Sequence, residues 1–204
     1  RLIISDIDGT ILNDHHQIDP ELAALIPDLK REEIPFVLAS ARSPKGMAPI
    51  AKELGIEDCP MACYNGALIQ KGEQVLFEHP IDKNEARQFI DWANQHFPQV
   101  SINLYSGKDW MTDHLDQWSR EEARITGEKP LILPLLDPLL DMTKPLHKLL
   151  LIGDAEEIQA LYRAISADDF PSTAFYLSKA NYLEVTAKHV SKEDALVELA
   201  NHYH

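Results

Sequence analysis

The stretch IISDIDGTIL, residues 3–12, begins as a β-branched apolar run and stops on two carboxylates, Asp6 and Asp8, followed by Gly9 and Thr10. A short apolar run bounded in this way reads as a buried strand. In an open parallel sheet, ligands bind just beyond the carboxyl ends of such strands. Two acids one residue apart in a turn repel each other, and a divalent cation with a preference for oxygen would relieve that repulsion. Gly9 permits a tight backbone path and Thr10 can hydrogen-bond within the turn. Taken alone, the pair also suits a turn in which Asp simply caps the next helix.

Outward from this stretch, strand and helix signals alternate. Asp19 is a candidate N-cap with Pro20 at the first helical position of IDPELAALIPDLKREEI, and Pro27 is expected to kink or shorten that helix. PFVLAS reads as a second buried strand. SPKGMAPIAKELG repeats the pattern, with Ser43 as N-cap, Pro44 first in the helix and Gly55 as the stop. PMACYNG reads as a third strand, so the order strand, helix, strand, helix, strand implies an α/β fold with a parallel sheet.

The period then changes. GALIQ and QVLFEHP, joined by KGE, predict a hairpin, and DKNEARQFIDWANQHF predicts an amphipathic helix. VSINLYSGKDWMT is extended with a turn at Ser106 and Gly107, and DQWSREEARIT is helical. KPLILPLLDPLLDMTKP holds four prolines, which exclude a long helix and predict an irregular connection against an apolar surface. Strand, helix, strand and strand follow in HKLLLIG, AEEIQALYRAI, TAFYLS and YLEVT. Residues 82–187 thus read as an α+β module inserted between residues 1–81 and a returning segment, 188–204. The last helix is expected to turn Ala195, Leu196 and Leu199 to one face.

Composition narrows the partners. The 204 residues carry a formal charge of −14, which argues against a nucleic-acid backbone or an anionic membrane surface, because both would repel the chain. No apolar run approaches a membrane span and RLIISD does not read as a signal peptide, so a cytoplasmic location is expected. Cys59 and Cys63 are too few for a disulfide framework, and Cys63 reads as a small buried hydrophobe. Among the histidines, His15 and His16 follow the acidic turn and read as a solvated loop pair. No histidine has metal-ligand spacing.

Three further residues shift the reading of the acids. Ser40 ends the second strand, Arg42 lies two residues beyond it, and Lys192 opens the last helix. A carboxylate nucleophile, a hydroxyl donor and a compact cation are what phosphoryl transfer through an aspartyl-phosphate requires. With these residues in view, DIDGT, LASAR, YNGALI and VSKEDAL resemble the motifs of the haloacid dehalogenase (HAD) superfamily, in particular its Cof-type phosphatases with an α/β cap. The motifs come in the family's order and span nearly the whole chain.

The resemblance implies a Rossmann-like core with the inserted module as cap, and a phosphoric monoester hydrolase acting on a small phosphorylated metabolite such as a sugar phosphate. It makes Asp6 the nucleophile and Asp8 the general acid and then base. Ser40 would bind the transferring phosphoryl group, and Lys192 would neutralise charge. Mg²⁺ would be held by the Asp6 carboxylate and the Asp8 main-chain carbonyl. Gly9, Thr10, Arg42, Asn65 and Gly66 would lie along the substrate, although Arg42 also suits a surface ion pair and Asn65-Gly66 a turn.

Two departures stand out. SAR replaces the family's common threonine-glycine-arginine and keeps the hydroxyl and the guanidinium. Similar proteins also continue past the lysine helix into a strand ending in GDxxND, whose aspartates complete the metal site, whereas the last residue here is His204. Gly153-Asp154 lies before Lys192 and inside the inserted module, so it reads as a strand end and helix cap. Without the further strand, LIIS is expected to be an exposed sheet edge. The alternative function is accordingly a phosphate or ligand binder that lacks the final metal-binding motif and does not turn over.

Overall fold

In the computed structural model, which describes residues 1–204, Ile3–Asp6 forms β1 at the edge of a five-stranded sheet. The chain divides into two units, Arg1–His79 with Val190–His204, and Pro80–His189.

In the first unit, α1 (Pro20–Arg31) leads to β2 (Phe36–Ala39), and α2 (Pro44–Leu54) leads to β3 (Met61–Cys63). β1, β2 and β3 are parallel neighbours, as short right-handed crossovers favour. β4 (Leu68–Lys71) and β5 (Gln74–Glu78) add an antiparallel hairpin on the far side. The chain returns as the seventh helix, α7 (Lys192–His202), which packs Ala195 and Leu199 on Val37, Ala39, Ala62 and Ile69.

The helix starts follow the expected chemistry. Asp19 accepts from Glu21 N–H and Ser43 from Gly46 N–H, each with proline in the first turn, and Gly55 closes α2 in the left-handed region at φ 70°. Pro27 does not shorten α1, which runs unbroken past it. Pro27 lies on the exposed side, where water can take up the carbonyl bond that its missing N–H leaves open. Leu196 also departs from expectation, at 44% exposed. It follows Ala195 by one residue, and a step of about 100° round the helix turns it off the buried stripe.

In the second unit, α3 (Lys83–His96) precedes β6 (Ser101–Ser106), β7 (Asp109–Thr112) and α4 (Gln117–Thr126). The proline-rich segment forms β8 (Leu131–Ile132) and a five-residue helix, α5 (Leu136–Leu140). β9 (Lys148–Ile152), α6 (Ala155–Ala164), β10 (Thr173–Lys179) and β11 (Tyr182–Ala187) complete the unit. The six strands lie in the order β10-β11-β9-β6-β7-β8, antiparallel except for the β7/β8 pair.

One face of this sheet supplies Ile102, Leu104, Leu149, Leu151, Leu183 and Val185 to a core shared with Phe89 of α3 and Ile158 of α6. The alternate residues form a polar network. Lys148 pairs with Glu184 at 3.1 Å and lies over the Tyr105 ring, which stacks on Trp110, whose indole donates to Asn103. The proline-rich segment buries only Leu135, Pro138 and Leu139 of its apex, and leaves Leu131, Ile132, Leu136, Leu140 and Met142 exposed. Asp154 stands at the start of α6 in the N-cap backbone conformation, but its side chain makes no capping bond. No helix is long and apolar enough to cross a membrane.

Candidate active site

The register β1/β2 places Asp6 opposite Ala39, so Asp6 and Ser40 emerge from the carboxyl ends of adjacent parallel strands. Beyond Asp6 the chain turns sharply, and the N–H groups of Thr10, Ile11 and Leu12 all converge on the Ile7 carbonyl at 3.0–3.3 Å. Ile7, Ile11 and Leu12 are buried and anchor this turn, while Asp8, Gly9 and Thr10 remain exposed. Gly9 holds φ 75°, with open space where a Cβ would stand, so backbone conformation alone demands glycine there. Thr10 serves the turn through its main-chain N–H.

Asp6 accepts two hydrogen bonds on one oxygen. Ile7 N–H donates to Oδ1 at 2.9 Å and Lys192 Nζ donates to the same atom at 2.8 Å, which leaves Oδ2 without a protein donor. Lys192 is the first residue of α7, and Ser191 caps the helix by accepting from Asp194 N–H. A cation in the first turn opposes the helix dipole, an unfavourable term of about 0.3–1 kcal/mol. Its position is explained by the Asp6 carboxylate, not by the helix.

Ser40 is 2% exposed, and its Oγ accepts from Arg42 N–H at 3.2 Å, so its own proton remains available for donation. Arg42 grips Asp8 with two bonds, Nη2 to Oδ1 at 2.6 Å and Nε to Oδ2 at 3.2 Å. Of the two roles open to Arg42, the ion pair is the one present. The sequence did not reveal its partner 34 residues away, because only the β1/β2 register brings them together.

Asn65 and Gly66 lie in a tight turn with Tyr64. All three have positive φ, at 52°, 56° and 101° for Tyr64, Asn65 and Gly66. The turn is tied back to the end of β2, since Asn65 N–H donates to Ser40 O at 2.8 Å and Tyr64 N–H to Arg42 O at 3.0 Å. Gly66 faces α7 so closely that a Cβ would stand 3.0 Å from both Ala195 Cβ and Ser191 O. Gly66 therefore seats the start of α7, and with it Lys192. The dipeptide Asn-Gly signalled a turn, but neither Tyr64's left-handed backbone nor the helix approach had a sequence signal.

The four charges cancel in pairs, Asp6 with Lys192 and Asp8 with Arg42. No group of three His, Cys, Asp or Glu side chains is placed so that it could hold a metal ion by itself. What the site offers a cation is the unengaged Asp6 oxygen and the neighbouring Asp8 carbonyl. That donor set fits Mg²⁺, which commonly takes one or two carboxylates and completes its shell with water and substrate phosphate. Cys63, behind the site at the end of β3, is buried and its thiol is pushed up to about 12 by burial. His15 and His16 lie in the exposed loop after the turn, where Asn13 Oδ1 accepts from His15 N–H.

Comparison with known proteins identifies the family. The family described as haloacid dehalogenase-like hydrolase matches residues 3–204. A "Putative phosphatase" of Haemophilus influenzae is 28% identical over 204 residues, covering all of this chain and 75% of that protein. The crystal structure of TM0651 from Thermotoga maritima superposes with a TM-score of 0.86 at 25% identity, over 100% of this chain and 75% of that one. The HAD subclass IIB sugar phosphatase BT4131 shares the fold at a TM-score of 0.76 and 15% identity, over 100% of this chain and 76% of that one. The chain thus spans about three quarters of the length of each. It is a member of the haloacid dehalogenase-like hydrolases, with the α/β fold and Cof-type organisation of that family.

Proposed function

We propose that the chain carries the catalytic centre of a phosphatase that hydrolyses a small phosphorylated metabolite through a phosphoryl group carried on Asp6. The observation that carries this reading is the two-sided state of Asp6. One oxygen is held by Lys192 and the Ile7 amide, and the other is unengaged at the mouth of the sheet. Such a carboxylate is oriented without being consumed by its partners, as a nucleophile requires.

In this reading one oxygen of the Asp6 carboxylate forms a bond to phosphorus while the bond from phosphorus to the leaving oxygen breaks, and the other oxygen is the one left to hold a cation. Ser40 donates its hydroxyl hydrogen to a phosphoryl oxygen, and Lys192 offsets negative charge on the Asp6 side. Asp8 gives a proton to the leaving oxygen, then takes one from the water that attacks phosphorus and frees Asp6. Asp8 is available for this only when Arg42 relaxes its two-pronged grip. An incoming phosphate monoester, itself an anion, competes for the guanidinium.

Because the four charged side chains already cancel, a phosphate dianion needs additional positive charge. Mg²⁺ bound by the Asp6 carboxylate and the Asp8 carbonyl would supply it and polarise the phosphoryl oxygens. Sugar phosphates are the substrate class suggested by BT4131, whose name describes a sugar phosphatase.

A second reading, a phosphate binder without turnover, is favoured by the grip of Arg42 on both oxygens of Asp8. One experiment separates the two. Hydrolysis of p-nitrophenyl phosphate is followed with Mg²⁺ and with chelator, alongside inorganic phosphate binding by calorimetry. Turnover that disappears on chelation and in Asp6→Asn supports the phosphatase. Phosphate binding with no turnover in either condition supports the binder.

A further inference from the structure

Within the first unit, α7 is tied to the sheet from two opposite flanks. Its buried stripe is narrow: Ala195 and Leu199 are the residues fully packed, against Val37, Ala39, Ala62 and Ile69 of β2, β3 and β4. A methyl group and one leucine offer few contacts to resist a roll about the helix axis. At about 100° per residue, Lys192 and Glu198 fall about 60° to either side of Ala195. Each reaches a different edge of the sheet. Lys192 Nζ donates to Asp6 Oδ1 at 2.8 Å at the end of β1, and Glu198 Oε1 accepts from His79 Nε2 at 2.6 Å just past β5. β1 and β5 are the two outer strands. A carboxylate can only accept, so His79 Nε2 carries the hydrogen whether the ring is neutral or charged. His79 is itself fixed through its main chain, whose N–H donates to Ala67 O at 2.8 Å, and Phe77 and His202 meet edge to face on the same flank. The two ties are shielded to a similar degree, with side-chain exposures of 43% and 24% for His79 and Glu198 against 38% and 39% for Lys192 and Asp6.

We propose that His79 and Glu198 are positioning residues for Lys192. The His79–Glu198 and Lys192–Asp6 bonds act as opposed stays on one stiff helix, so the roll of α7 is set by both. With the His79 stay cut, the helix can turn on its narrow apolar stripe, and Lys192 keeps Asp6 only through its own flexible four-carbon stem. The ammonium then spends part of its time away from Oδ1, and the carboxylate loses the partner that orients it. Gly66 fixes where α7 starts, whereas His79 and Glu198 fix how it is turned. The effect of this pair on turnover rests on the phosphatase function proposed for Asp6, and its effect on the Lys192–Asp6 bond does not.

The Lys192 ammonium reports on this role directly. In a proton–nitrogen correlation spectrum of the nitrogen-labelled chain, an ammonium held by a carboxylate exchanges slowly with water and gives a resolved signal, assigned to Lys192 by its loss in Lys192→Gln. That signal is expected in the unaltered chain and in His79→Gln, whose amide N–H stands near the place of the imidazole Nε2–H. It is expected to fade in His79→Leu and, from the helix side of the same bond, in Glu198→Leu. On p-nitrophenyl phosphate, kcat should fall at least about fivefold in the two leucine variants, with KM changed less and with recovery in His79→Gln. Ile26→Val trims a buried residue outside the cluster that α7 packs on, so it controls for lost stability and should leave the signal in place. An unaltered chain with no Lys192 signal, a signal that persists in both leucine variants, or equal fading in His79→Gln or Ile26→Val overturns the proposal. The expected pattern of signals in a chain that hydrolyses nothing upholds the positioning of Lys192 and removes the phosphatase function instead.

Discussion

Replacing Gly66 by alanine tests the link between fold and site. The new Cβ meets Ala195 Cβ and the Ser191 carbonyl at 3.0 Å, and the residue must keep φ 101°. Forcing an L-residue to positive φ costs about 1–2 kcal/mol, and overpacking against a neighbour that cannot swing away adds about 1–3 kcal/mol. A loss of about 2–5 kcal/mol follows, equivalent to a drop in Tm of roughly 4–20 °C for a chain of this size. Gly72→Ala is the control, since it also has positive φ, 59°, but nothing within 4 Å of a Cβ. It should cost only about 1–2 kcal/mol. Urea unfolding followed by far-UV circular dichroism measures both. Because the clash pushes on Ser191, Gly66→Ala should also lower kcat on an aryl phosphate by displacing Lys192 from Asp6, and Gly72→Ala should not. Equal destabilisation of the two variants with unchanged kcat would refute the assignment of Gly66 as the seat of α7.

Other outcomes test separate steps. Arg42→Ala frees both oxygens of Asp8, and with a guanidinium no longer present for phosphate the KM for an aryl phosphate should rise at least about tenfold; an unchanged KM would leave Arg42 as a surface ion pair only. Asp8→Asn should slow substrates with poor leaving groups far more than activated aryl phosphates, and an equal loss across leaving groups would contradict the acid role. In the second unit, Lys148→Met alone leaves Glu184 charged and buried and should cost about 3–5 kcal/mol, whereas Lys148→Met/Glu184→Leu should recover most of that. Alkaline pH provides a fourth test through Cys63. Its folded thiol holds its proton to about 12, while the unfolded thiol ionises from about 8.5. The folded value is the higher one, so stability is full below pH 8.5 and drains as pH rises towards 12, by at most about 1.4 kcal/mol per pH unit. Cys63→Ala should flatten urea midpoints measured from pH 8 to 10; an unchanged slope would assign it to other groups.

The sequence carried what is local. Apolar runs that stop on Asp6 or Ser40 announce strand ends, and Asp19-Pro20 and Ser43-Pro44 announce helix starts, because caps and proline act within a turn of themselves. What depended on register was hidden. Arg42 meets Asp8 only once β1 lies beside β2, and Gly66 meets Ala195 only once α7 returns across the sheet. That Pro27 would not shorten α1 was hidden too, because its effect depends on which side of the helix faces water. The proline-rich segment was legible only in part: it packs Leu135 and Leu139 on the core as expected of a connection against an apolar surface, but which of its other leucines stay outside had no sequence signal. Five large apolar residues there remain outside the core.

The most direct measurement of the central claim is mass spectrometry of acid-quenched protein during turnover of an aryl phosphate. Asp8→Asn, in which breakdown of the intermediate should be slowed, is the form to quench, with Asp6→Asn as the companion. The account expects the mass of one phosphoryl group on the peptide that carries Asp6, and none in the Asp6→Asn protein. Continued hydrolysis of the aryl phosphate with no phosphoryl group on that peptide, or one on another residue, would contradict it.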